Sequence, residues 1–184
     1  MEDTDETILV LARNGDRAAF ARLVEMHYDM FFRVAYRHLG NRADAEDVAQ
    51  EVCVRLGGSI RTFRGDCSLS SWLYRLVVNA ACDHQRKAKR GRNLTQAVAA
   101  EHEVSGGYEG ENDNDAATRL WEAVRTLPEK TRQAVVLVYS EGLSHLKAAE
   151  ALECSEATVS WHIHDAKKKL RALLAEPEGA TYAR

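Results

Sequence analysis

Three carboxylates and an amide, Asp44, Asp47, Glu51 and Gln50, recur at helical spacing within Asp44-Ala-Glu-Asp-Val-Ala-Gln-Glu51. Residues three and four apart share a helix face, so the three acids crowd negative charge onto one side. Like charges so placed cost an isolated helix roughly 0.2–0.5 kcal/mol per pair. A solvated helix surface accounts for this face, and so does a surface presented to a basic partner. The same carboxylates can in principle hold a magnesium ion. No nucleophile or phosphate-binding loop accompanies them, so no enzyme is read here. Neither a cofactor nor a metal is expected. His162 and His164 are two apart and point to different sides of a helix. The four cysteines, Cys53, Cys67, Cys82 and Cys154, include no Cys-x-x-Cys pair and read as reduced thiols.

A second constellation is basic. Positive charge concentrates in Arg86-Lys-Ala-Lys-Arg-Gly-Arg92 and Lys167-Lys-Lys-Leu-Arg171, although the net charge is −3. Arg75, Asn79, Asp83, Arg86 and Arg90 follow helical spacing and form a polar side, with Lys87 beside them. Distribution matters more than the sum. Such a chain can bind DNA locally while its bulk is repelled, and alone it would bind poorly.

The elements that must position these groups are helical. Two prolines and no long period-two runs of β-branched residues occur in 184 residues, and the class is all-α. A first helix is predicted from about Glu6 to Asn14, stopped by Gly15. Asp16 caps a longer one with Phe20, Leu23, Val24, His27, Phe31, Val34 and Leu39 as its apolar stripe, ended by Gly40. Asn41 caps the acidic helix, which buries Ala45, Val48, Val52 and Leu56 and is predicted to stop at Gly57-Gly58. A loop from Ser59 to Ser68 carries Phe63-Arg-Gly-Asp66. The next helix, Leu69 to Arg90, buries Leu69, Trp72, Leu73, Leu76, Val77 and Ala80; Trp72 therefore reads as core rather than as a stacking platform.

From Asn93 to Asp115 the chain turns acidic and glycine-rich, the composition of a flexible linker. Periodicity resumes near Ala116, and Pro128 opens a further helix. Ser144 then caps a short helix, His145 to Leu152. A turn at Glu153-Cys154 follows, and Ser155 caps a helix from Glu156 to about Leu174, with Val159, Ile163, Ala166, Leu170 and Leu173 inward. Short helix, turn and capped second helix describe a helix-turn-helix, whose second helix enters the DNA major groove. The expected organisation is two small helical domains joined by an acidic linker: residues 1–92, linker 93–115, a helix-turn-helix domain 116–176 and a tail 177–184. No stretch approaches the ~18–20 apolar residues that span a bilayer, and the acidic start is unlike a secretory signal. No membrane insertion and a cytoplasmic location are expected.

In order and spacing these motifs resemble the extracytoplasmic-function (ECF, group IV) sigma factors, promoter-specificity subunits of bacterial RNA polymerase. The resemblance rests on Asp44 to Val52, Phe63-Arg-Gly-Asp66, Ser71-Trp-Leu-Tyr-Arg-Leu-Val-Val-Asn79 and Asp83-His-Gln-Arg86. It continues in Leu127-Pro-Glu-Lys-Thr-Arg-Gln-Ala-Val135, Glu141-Gly-Leu-Ser144 and Ala157-Thr-Val159. It implies that Asp44, Asp47, Gln50 and Glu51 dock on a basic coiled coil of the polymerase β′ subunit. It implies that Phe63, Arg64, Asp66, Ser68, Arg75, Asn79, Asp83, Arg86, Lys87 and Arg90 serve the −10 element. There a base is flipped out, Phe63 stacks, Asn79 pairs with a base edge and the cations hold phosphates. The helix-turn-helix is implied to read the −35 element through Ser155, Glu156, Ala157, Thr158, Ser160, Trp161, His164, Lys167 and Lys168. It sits near the β flap. Ser160, His162 and Asp165 stand where many relatives are basic, and Glu153 where the turn is often small. The implied partners are core RNA polymerase, promoter DNA and an anti-sigma factor; the implied role is transcription of a stress or envelope regulon.

Two other readings compete. A helix-turn-helix regulator acting without polymerase explains the C-terminal half but leaves Asp44–Glu51 and Phe63–Asn79 idle. A sigma-like protein-interaction module is motivated by the thinned basic surface at Ser160, His162 and Asp165.

Overall fold

The computed structural model describes residues 5–96 and 115–175. Among them the secondary structure is helical, without strands, and the chain divides into two compact units, Met1–Tyr108 and Glu109–Arg184. The predicted linker lies largely outside the described residues, as does the predicted tail. Among the described residues no helix is long and apolar enough to cross a membrane.

The first unit contains α1 (Asp5–Arg13), α2 (Arg17–Leu39), α3 (Arg42–Ser59), a 3₁₀ turn (Ile60–Thr62) and α4 (Leu69–Gln96). Helix α2 packs against α1, α3 and α4. Its core joins Leu23, Phe31 and Val34 of α2 to Val48, Val52 and Leu56 of α3 and Leu73, Val77 and Ala80 of α4. Local chemistry sets the boundaries. Asp16 Oδ1 accepts the Ala19 N–H at 3.0 Å, and Asn41 Oδ1 accepts that of Asp44 at 3.0 Å, each satisfying a donor that the helix leaves open. Gly40, at φ 78°, closes α2 with its N–H on the Tyr36 carbonyl, a left-handed conformation that suits glycine.

One predicted boundary is corrected. Helix α3 runs through Gly57 and Gly58 to Ser59 and passes directly into the 3₁₀ turn. A glycine inside a helix costs about 1 kcal/mol relative to alanine. Here Leu56 and Ile60 on either side are both buried, and Gly57 lies against the Phe20 ring, where an added Cβ would come within 3.4 Å of Cζ. Tertiary burial outweighs local propensity. Helix α4 also starts with a cap that the sequence pattern left in the loop: Ser68 Oγ accepts the Ser71 N–H at 3.1 Å.

The second unit contains α5 (Asp115–Thr126), α6 (Glu129–Val135), a π turn (Val136–Ser140), α7 (His145–Leu152) and α8 (Glu156–Leu174). Helix α8 packs on α5, α6 and α7. Pro128 opens α6, its carbonyl accepting the Arg132 N–H at 2.9 Å, and Thr131 to Leu137 are all buried. Arg132 is inside because its Nη1 donates to the Arg125 carbonyl at 2.7 Å, closing the end of α5. Ser144 and Ser155 cap α7 and α8. Between them Glu153 holds φ 52° and ψ 46°, a left-handed turn residue. Val159, Ile163 and Ala166 form the buried side of α8, whereas Leu173, expected inward, is 57% exposed in its last turn.

Candidate functional site

The acidic face of α3 is assembled from its cap outward. Asn41 places Asp44 in the first turn, where a carboxylate also opposes the positive end of the helix dipole. Asp44 Oδ1 lies 3.1 Å from His84 Nε2 of α4. Glu51 Oε1 accepts from Arg55 Nη2 at 2.7 Å and from Nε at 3.2 Å. Two of the three acids thus have side-chain partners within the protein, Arg55 bringing a positive charge to Glu51. Asp47 and Gln50 face solvent between them.

Arg55 also reaches α4, donating from Nη2 to Asp83 Oδ2 at 3.2 Å, and Asp83 Oδ1 lies 3.6 Å from Arg86 Nη1. Burial acts to lower the Arg55 pKa, but hydrogen bonds to Glu51 and Asp83 and their charges outweigh it and hold the guanidinium above its usual value. Neither Arg55 nor His84 was named from sequence as part of this surface. Arg55 stands four residues after Glu51, a spacing that signals a pair. The bond to Asp83 has no local signal.

On α4, Arg75, Asn79, Asp83, Arg86 and Arg90 share one side as predicted. Asn79, Arg86, Lys87 and Arg90 are exposed and Arg75 half-buried. Arg90 Nε donates to the Arg86 carbonyl at 3.4 Å. In the loop, Arg64, Asp66 and Ser68 are exposed, and the Ser68 hydroxyl is engaged in capping. Phe63 points inward. It is 7% exposed and packs on Trp72 with ring centroids 4.9 Å apart at 42°, a tilted aromatic pair. Phe63 is buried while Trp72 is half-buried, so the pair anchors the loop at the start of α4. Arg75 Nη2 lies 3.9 Å from Cys67 Sγ, tying the loop to α4.

On α8 the residues opposite Val159, Ile163 and Ala166 are Ala157, Trp161, His164 and Lys168, all exposed. Trp161, 60% exposed, stands at the centre of that face. The other predicted residues lie at its edges or carry local duties. Ser155 Oγ accepts the Thr158 N–H, and the two hydroxyls meet at 2.8 Å. Thr158 is exposed. Ser160 Oγ meets His145 Nδ1 of α7 at 2.8 Å, Lys167 Nζ lies 5.9 Å from the Tyr139 ring centre, and Glu156 occupies the first turn. Asp165 pairs with Lys169 at 2.8 Å. His162 turns inward, its Nδ1 3.0 Å from Thr131 Oγ1, and burial, despite Asp165, holds its pKa below the usual imidazole value, with Lys130 and Lys169 adding to the effect.

Two family matches coincide with these units: residues 23–91 with Sigma-70 region 2 and residues 117–170 with Sigma-70, region 4. Fold and surfaces thus define a sigma factor. SigW, an ECF RNA polymerase sigma factor of Bacillus subtilis, is 32% identical over 89% of this chain and 93% of its own length. SigE, an ECF RNA polymerase sigma factor of Mycolicibacterium smegmatis, is 31% identical over 98% of this chain and 73% of its own. Among solved structures, CnrH in complex with the cytosolic domain of CnrY matches with a TM-score of 0.68 and 25% identity, covering 92% of this chain and 96% of that one. The Bartonella quintana sigma factor RpoE, bound to the anti-sigma factor NepR, shares the fold (TM-score 0.66, 21% identity, 86% and 98% covered). The chain belongs to the ECF RNA polymerase sigma factors. Its activity is transcription initiation with RNA polymerase at promoter DNA. The presence of both sigma regions disfavours a regulator acting without polymerase and a bare interaction module.

Proposed function

We propose that α3 meets the β′ coiled coil of core polymerase chiefly through Asp47 and Gln50, with Glu51 at the margin and Asp44 serving mainly the fold. Helix α4 and the loop before it take the −10 element: Asn79 contacts a base edge, Arg64 and Asp66 lie at its approach, and Arg86, Lys87 and Arg90 hold phosphates. Helix α8 takes the −35 element with Ala157, Trp161, His164 and Lys168 toward the groove and Lys167 toward the backbone, near the β flap. The domains are residues 1–92 and 116–176. The observation that carries this reading is the exposed row Asn79, Arg86 and Arg90 on α4, set beside the α3 face by the Arg55–Asp83 bond. Group IV membership, a cytoplasmic location, a stress or envelope regulon and an anti-sigma partner belong to the same reading. The Bartonella quintana RpoE structure that shares this fold, solved with the anti-sigma factor NepR, motivates the last of these.

The test is transcription of sheared bacterial genomic DNA by core polymerase with and without the purified protein. New transcripts sharing an upstream motif are expected and would reveal both promoter elements. Absence of core binding would sink the proposal.

A further inference from the structure

Four ionised side chains run in succession from the polymerase-facing helix to the DNA-facing one. Glu51 and Arg55 of α3 pair at 2.7 Å, Arg55 and Asp83 of α4 at 3.2 Å, and Asp83 and Arg86 at 3.6 Å. Asp83 is the anomaly in this row. It shares a helix side with Arg75, Asn79, Arg86 and Arg90, where a carboxylate repels phosphates. Nothing in phosphate binding asks for it. A counter-ion between two arginines does.

We infer that Arg55 and Asp83 form a strut that positions Glu51 for the polymerase and Arg86 for the DNA strand, Asp83 itself touching no nucleic acid. Both are positioning residues. The inference rests on the reading of α3 and α4 as polymerase and −10 surfaces.

The geometry suits positioning better than stability. The Arg55 and Glu51 side chains are each 33% exposed and Asp83 is 40% exposed, and ion pairs at that exposure add little to folding. What the strut supplies is order before binding. Glu51 and Arg86 carry long side chains that a partner would otherwise have to immobilise. Each such side chain held in advance improves affinity by roughly two- to tenfold. The guanidinium fork suits the task because it meets two carboxylates at fixed angles.

The test uses full-length protein with core polymerase and promoter DNA, comparing Arg55→Gln, Asp83→Asn and the double variant. Each single substitution is expected to lower both core affinity and open-complex yield by roughly three- to tenfold. The double variant should fall no further than the worse single one, because one broken link disables the strut. Arg55→Lys should recover part of the core affinity, since a lysine can still meet Glu51. Base preference at the −10 element should not move. Additive losses would overturn the strut. So would a changed base preference in Asp83→Asn at full core affinity, since that marks a direct base contact. A drop in melting temperature large enough to explain both losses would overturn it as well. Wild-type protein that fails to bind core would overturn the underlying reading and the strut together, whereas additivity in a protein that binds overturns the strut alone.

Discussion

The two helical units carry their charges in different ways. In the N-terminal unit, polar side chains meet across helices: Arg55 of α3 pairs with Asp83 of α4, and His84 of α4 lies against Asp44 of α3. In the C-terminal unit, Asp165 and Lys169 pair within α8. Polar contacts that cross to α8 there include His145–Ser160 and Thr131–His162, and the outer face of α8 centres on an indole rather than a cation. A surface braced by cross-helix ions arrives at its partner ordered and depends on salt. A capped helix held by Val159, Ile163 and Ala166 leaves Ala157, Trp161, His164 and Lys168 on its outer face, away from that core.

The sharpest way to break this contrast is to reverse the acidic face. Asp47→Arg with Glu51→Arg should weaken core binding by about a hundredfold or more, since like charges then meet across the interface. The fold should survive, because both residues lie outside the core. Titration of core polymerase, paired with circular dichroism of the variant, checks both halves; unchanged affinity would remove the acidic face from the interface.

A second comparison sets Asn79 against Trp161. Asn79→Ala should alter the base preferred in the −10 element by about 1–3 kcal/mol of discrimination while leaving core affinity near wild type. Trp161→Ala should lower occupancy of the −35 element by roughly tenfold, the scale of a well-packed aromatic contact, without changing the −10 preference. Selection from randomised promoters reads both. Matching profiles for the two variants would show that the units do not read separate elements.

The residues legible in sequence were those whose reasons are local. The caps at Asp16, Asn41, Ser144 and Ser155 each lie three residues before the N–H they accept, and Gly40 marks its own turn. The polar row on α4 and the buried stripe of α8 through Ala166 follow from a 3.6-residue period alone. What escaped depended on contacts distant in the chain. Gly57 stays helical because Leu56 and Ile60 on either side of it are buried in the core. Phe63 lies inward because it packs on Trp72. Arg55 and His84, which meet Asp83 and Asp44, each stand on a different helix from the acid they meet. His38, buried in α2 with its Nε2 3.4 Å from Cys82 Sγ, was passed over because a histidine in an apolar stripe carries no mark of its partner.

His162 separates the units by pH. Its folded-state pKa lies below the usual imidazole value of about 6.5, so between the two values the unfolded chain binds more protons. Stability is then fully present above the unfolded value and is lost as pH falls through the window toward the folded value. Hydrogen exchange of α8 amides in the full chain should quicken as pH falls below about 6.5, after correction for the intrinsic rate. His162→Gln, which can still bond Thr131, should flatten that change. An identical pH dependence in both proteins would place its origin elsewhere.

The smallest effect expected is at Glu153, the turn residue between α7 and α8. Its φ of 52° lies in the left-handed region, which costs a non-glycine residue roughly 1–2 kcal/mol. Its carboxylate also stands at the C-terminal end of α7, where the helix dipole is negative. Glycine removes both penalties but gains freedom in the unfolded chain, which returns part of the benefit. Glu153→Gly should therefore stabilise the C-terminal unit by about 0.5–1 kcal/mol, seen as slower exchange in α7 and α8 with exchange in α3 and α4 unchanged. The expected sign is opposite to that of most substitutions. A loss of stability instead would mean that the Glu153 side chain holds the turn by contacts worth more than the backbone strain it bears.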